Sequence, residues 1–129
     1  MMSSGNKGDS RRFEMHISNL EKAEKIKMDL EGAKDVQKQC PISKADGTPT
    51  FSFRVFTLEP GGHTPHHTHP FEHLNYVIEG HGTVLGQNGE HEIKQGDFAM
   101  ILPGETHQYR NTSTNKPLVI ICAVPKEYE

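Results

Sequence analysis

Polar and apolar residues alternate along most of this chain. Ile26, Met28 and Leu30 fall on one side of a strand-like pattern and Lys27, Asp29 and Glu31 on the other, until Gly32 interrupts it. From there short alternating segments recur every eight to twelve positions between turn residues, the pattern of an all-β sandwich or barrel. The predicted strands are 36–42, 50–59, 73–79, 82–87, 90–94, 98–102, 107–112 and 118–124. Asp46-Gly47, Pro60-Gly61-Gly62, Glu79-Gly80, Asn88-Gly89, Gln95-Gly96-Asp97 and Pro103-Gly104 lie between them as turns, with Asn88-Gly89 suited to a two-residue type I′ hairpin. Ahead of the strands, Ser18-Asn19-Leu20-Glu21 has capping-box spacing and predicts a short helical turn near 18–24. Residues 1–12 have no apolar residue after Met2 and read as a disordered tail, which leaves 13–129 as a single folded domain.

A chain of 129 residues has room for one core and not two. Its formal net charge of -3 lacks the basic field that nucleic acid or an anionic membrane surface requires. No apolar run nears the roughly 20 residues of a membrane span, and Met1–Arg12 has no signal-like apolar stretch. The expected compartment is the cytoplasm, where Cys40 and Cys122 are reduced thiols.

Nine histidines change this picture, because five of them lie between His63 and His73. Imidazole is the commonest neutral metal ligand. His67 and His69 are one residue apart, so an extended segment turns both to one face; His73 keeps that parity and Glu72 does not. His107, beginning a later strand, is the distant fourth ligand that a closed barrel can deliver. The expected metal site is therefore His67, His69, His73 and His107, against the alternative of a solvated histidine-rich loop.

These residues resemble the motifs of the cupin superfamily. The first motif is met by Gly61, His67, His69, His73 and Gly80, with His73 standing where that family usually has glutamate. The second is met by Gly96, His107 and Asn111, its proline displaced by one to Pro103. The likeness is closest to small single-domain members with a His-Pro-aromatic-Glu-His segment, here His69 to His73. It implies a double-stranded β-helix, or jelly-roll barrel, with Ile120 and Cys122 lining its cavity. Period 2 alone leaves open which face of the last strand points inward. The resemblance also implies a homodimer built through the strands near residues 25–42.

Four imidazoles supply no compensating negative charge, so a divalent ion held there favours an anionic ligand. Such a donor set suits Mn, Fe, Ni, Cu, Co or Zn, and two free positions on an octahedral ion read as catalytic. The expected partner is a small oxygen-rich molecule. Dioxygenase-type chemistry is the leading expectation. A redox-neutral isomerase, lyase or decarboxylase is the alternative, beside a non-catalytic ligand-binding or structural-metal domain. Arg54, mid-strand between Phe53 and Val55, is either an exposed charge or a buried anion anchor; Tyr109 shares parity with His107 and is either a site residue or core. Phe51, Phe53, Phe56 and Phe98 read as core, while His16, His81 and His91 read as surface.

Overall fold

The computed structural model describes residues 14–129, so the tail expected at 1–12 lies outside the described residues. Nine strands follow in order: β1 (Ile26–Lys27), β2 (Lys34–Ile42), β3 (Phe51–His63), β4 (His73–Glu79), β5 (His81–Gly86), β6 (Gly89–Lys94), β7 (Phe98–Ile101), β8 (Gln108–Arg110) and β9 (Leu118–Pro125). They form one antiparallel sheet with the path β6-β5-β8-β3-β9-β4-β7, and β1 and β2 attach to it through β3. The path curls on itself. Its two ends are tied by the turn between β6 and β7, where Gly96 N donates to Val77 O, Gln95 N to Gly80 O, and Val77 N to Asp97 O. This is the all-β jelly-roll that the motifs imply. No helix among the described residues is long and apolar enough to cross a membrane.

Several strands depart from the sequence pattern for identifiable reasons. Pro60-Gly61-Gly62 is not a turn, because β3 runs through it to His63. Between the pairs Val36↔Leu58 and Lys34↔His63, β2 advances two residues while β3 advances five, so β3 carries three extra residues there, an irregular bulge. A side chain on Gly62 would put its Cβ 2.8 Å from the carbonyl oxygens of both Lys34 and Asp35. The bulge re-aims β3, which pairs with β9 before it and reaches β8 after it.

The alternation at 26–31 yields only the two residues of β1, since Met28 instead donates its N–H to Val36 O and tucks against the core. The turn near 18–24 exists, but its start is Asn19, whose Oδ1 accepts from Glu21 N; the Ser18 hydroxyl donates to Pro41 O instead. In the β5–β6 hairpin, Gly86 pairs with Gly89, so the loop residues are Gln87 and Asn88. Neither has positive φ, and the type I′ turn at Asn88-Gly89 is not formed.

The interior is built in rows across β3, β9 and β4. Leu58 pairs with Leu118; Phe56 with Ile120 and Ile120 with Val77; Arg54 with Cys122 and Cys122 with Asn75. The even-numbered face of β9 is thus the inner one, which settles the parity that the sequence leaves open. Val36, Leu58, Val77, Val84, Ile93, Ile101, Tyr109, Leu118 and Ile120 form the apolar floor. Three phenylalanines read as core are outside it. Phe51 and Phe53 have the outward parity of β3, and Phe98 on the edge strand β7 is 81% exposed. Only Phe56 packs against the core. His16, His81 and His91 are exposed, as expected.

Candidate metal centre

The segment from Thr64 to Phe71 leaves β3 and crosses the mouth of the barrel, held by the loop that precedes β8. His67 and His107 exchange backbone hydrogen bonds in both directions, at 3.2 and 3.1 Å. Thr64 N donates to Tyr109 O, Tyr109 N to Thr64 Oγ1, and Gly104 N to His69 O. The Pro103-Gly104 turn therefore fixes His69 directly. His73 then enters β4 on its inward face.

This docking gathers four imidazole rings. Centroids lie 4.1 Å apart for His67–His69, 4.5 Å for His69–His73, 5.2 Å for His73–His107 and 5.4 Å for both His67–His107 and His69–His107. One ring nitrogen from each of His69, His73 and His107 falls within 4.8 Å of the others, a group that could hold a metal ion. His67 stands beside this group rather than within it. Glu72 is exposed, as its parity requires.

The tautomers are set by what the other nitrogens meet. Nδ1 of His67 lies 2.9 Å from Pro65 O, and Nδ1 of His107 lies 2.9 Å from Glu105 O. A carbonyl only accepts, so each Nδ1 carries the hydrogen and each Nε2 offers a lone pair. His73 Nδ1 faces Cys122 Sγ at 3.5 Å, while its Nε2 is buried without any partner. An orphaned imidazole nitrogen among neighbouring imidazoles fits a metal ligand. Electrostatics agree: burial pushes His69 down to about 4 and His73 down to about 3, with the adjacent histidines and Arg54 acting in the same direction. Burial likewise lowers His107. All three are neutral at pH 7, the form that ligates metal.

The remaining expected residues line the layer beneath. Arg54 is buried, so the exposed-charge alternative is wrong; its Nη2 donates to Cys122 Sγ at 3.2 Å and its Nη1 to Tyr128 O at 3.5 Å. Cys122 is a free thiol that burial pushes up, with Arg54 opposing. Tyr109 is buried and pushed up to about 12 by burial, and its oxygen accepts from Asn75 Nδ2 at 2.6 Å. Ile120 belongs to the apolar floor.

Sequence reasoning did not single out Asn75 or Tyr128, and it named Phe71 only as the aromatic of the His69-to-His73 segment. Asn75 shares the inward parity of His73, which was a usable signal. Tyr128 had none, because its role comes from a short 3-10 turn, Lys126–Tyr128, that follows β9. Its ring stacks on Phe71 at 3.9 Å, and Phe71 stacks in turn on His69 at 4.8 Å and His73 at 5.1 Å.

Comparison with known proteins agrees with this architecture. An uncharacterized protein of Methanocaldococcus jannaschii is 36% identical over 57 residues, which are 44% of this chain and 45% of that protein. This chain thus matches less than half of that relative's length. Among solved structures, the polyketide cyclase RemF from Streptomyces resistomycificus superposes with a TM-score of 0.82 at 25% identity, covering 88% of this chain and 80% of that one. A predicted oxalate decarboxylase from Thermotoga maritima gives a TM-score of 0.72 at 24% identity, covering 84% and 97%. A sugar phosphate isomerase from Silicibacter pomeroyi gives 0.72 at 21%, covering 83% and 73%. The model of the cupin domain matches residues 54–124, the stretch holding both motifs and every histidine of the cluster, and the chain belongs to the cupin family.

Proposed function

We propose that this protein is an enzyme that depends on one divalent transition metal and acts on a small oxygen-rich molecule at the barrel mouth. His67, His69, His73 and His107 are the proposed ligands. The observation that carries the reading is the buried, unpartnered Nε2 of His73 beside the donor nitrogens of His69 and His107.

A metal bound there supplies Lewis acidity, polarising an oxygen of the substrate. The chain's own residues do the rest. Carbonyls of Pro65 and Glu105 hold His67 and His107 in the ligating tautomer. Phe71, between Tyr128 and the imidazoles, shields one side of the cluster from water. Tyr109 keeps its proton and offers a hydroxyl in the layer below. A purely structural zinc site fits less well: Cys122, the thiol nearest the cluster, meets His73 at Nδ1, away from the orphaned nitrogen.

Two chemistries use such a site. Redox-neutral work on an enolisable compound is supported by the likeness to a polyketide cyclase. Dioxygenase chemistry is supported by a neutral imidazole set that suits Fe, Ni, Mn or Cu. Elemental analysis of tag-free protein, beside a His67→Ala/His107→Ala variant, tests the site: near-stoichiometric metal lost in the variant supports it, and no metal after reconstitution overturns it. Turnover of small enolisable acids and diols with and without O₂ then separates the chemistries. Product formed anaerobically supports the first; O₂ uptake coupled to substrate loss supports the second. The homodimer expected through residues 25–42 belongs to the same proposal, and a monomer in sedimentation analysis would remove it.

A further inference from the structure

Among the described residues, three buried side-chain atoms lack a hydrogen-bond partner: Arg54 Nε, His73 Nε2 and Asn75 Oδ1. They are not scattered through the molecule. Arg54 and Asn75 flank Cys122 in one row of β3, β9 and β4, and His73 occupies the next inward position of β4. Every buried side-chain atom left without a partner therefore faces one small region of the interior. Buried polar groups are ordinarily satisfied, so a cluster of exceptions needs a cause.

A metal accounts for His73 alone. Arg54 is 8% exposed, and a guanidinium does not lose its charge in a protein. Yet no carboxylate of the described residues lies within 4.0 Å of it. Its contacts are a thiol, a long bond to a backbone carbonyl and the face of the Phe56 ring at 5.0 Å. None of these is a carboxylate. A buried cation with no counter-charge among the described residues, next to a site that would add a divalent ion, calls for an anion from outside. Asn75 supplies the complementary feature: one end of its amide meets Tyr109 and the other is free.

We propose that Arg54 and Asn75 are substrate anchors: Arg54 takes a carboxylate and the free Asn75 Oδ1 accepts from the hydroxyl on the adjacent carbon, so the substrates are 2-hydroxy-carboxylates. The carboxylate replaces the long Tyr128 contact and the thiol contact of the guanidinium with charge-assisted bonds. The second oxygen then lies between Asn75 and the histidines. This assignment rests on the metal-site reading above and deepens it by naming the substrate class.

Calorimetric titration of the metal-loaded protein tests it with three probes: glycolate, glycolamide, which lacks the anion, and acetate, which lacks the hydroxyl. Wild-type protein is expected to bind glycolate about tenfold or more tightly than either control. Arg54→Gln should keep its metal and lose the preference over glycolamide, and Arg54→Lys should regain part of it. Asn75→Ala should lose the preference over acetate. Glycolate affinity in Arg54→Gln within twofold of wild type, at equal metal content, overturns the proposal. Should Arg54→Gln not fold, the metal-free wild type decides: glycolate must raise its melting midpoint more than glycolamide does, and equal shifts overturn the anchor. Absence of metal from the loaded wild type would instead sink the underlying site reading.

Discussion

His73 and His67 illustrate how differently two histidines of one cluster are held. His73 is buried on a strand with an orphaned Nε2; His67 is half-buried on the crossing segment and lies outside the tight donor group. His73→Ala and His107→Ala should therefore lose the metal, whereas His67→Ala, which removes the ligand outside the tight donor group, should keep it at lowered affinity. Chelator competition measures all three. The histidines were legible in the sequence because alternation gives each side chain a face, and the gap to Gly61 and Gly80 gives the segment a register. Asn75 was not singled out, since inward parity marks it no differently from Val77, and its partner Tyr109 is 34 residues away. Phe51 and Phe53 were misread for a related reason: hydrophobicity alone named them core, while their parity with respect to Arg54 put them outside.

At the scale of elements, glycine placement decides where strands can touch. Gly82 in β5 has an ordinary φ, yet a Cβ there would sit 2.2 Å from Arg110 O and 2.9 Å from Leu118 Cδ2. Gly82→Ala should force β5 away from β8 and destabilise the protein by about 3 kcal/mol, the upper end for overpacking, which urea unfolding would measure. The Lys126–Tyr128 turn is a lighter element. Lys126 N donates to Thr50 O, Glu129 accepts from Lys44 N and the Ser52 hydroxyl, and Tyr128 reaches Phe71. Tyr128→Ala should cost about 1 kcal/mol of stacking and speed metal release, read by stopped-flow chelation. Strand positions from β4 onward were mostly legible, because glycine or proline turns bound them. The β3 bulge was not, since Pro60-Gly61-Gly62 spells a turn locally and only the pairing of β3 with β2 and β8 makes it strand.

For the whole molecule, stability and metal binding are linked through the same imidazoles. In the folded chain His69 and His73 titrate near 4 and 3, and His107 is also depressed, whereas an unfolded histidine titrates near 6.5. Below pH 6.5 the unfolded chain binds more protons, so stability of the metal-free protein should fall as pH drops from about 6.5 toward 3. Thermal melts across that window measure it. Metal at 100 times its dissociation constant should add about 2.7 kcal/mol, and EDTA should reverse that gain. The added stability should shrink as the solution is acidified, because protons compete for the same nitrogens.

The position of β9 in the sheet has a consequence for how the protein is made. This strand separates β3 from β4, yet its residues follow theirs by about 40 to 75 positions in sequence, as in Leu58↔Leu118 and Glu79↔Val119. On the ribosome, β3, the histidine segment and β4 all emerge before the strand that joins them. Until residues 118–125 arrive, no wall exists behind Arg54 and Asn75, and His73 has no Cys122 to lean on. Metal capture should accordingly follow synthesis, and ribosome-stalled chains ending before β9 should hold no ion at low metal concentrations that saturate the released protein.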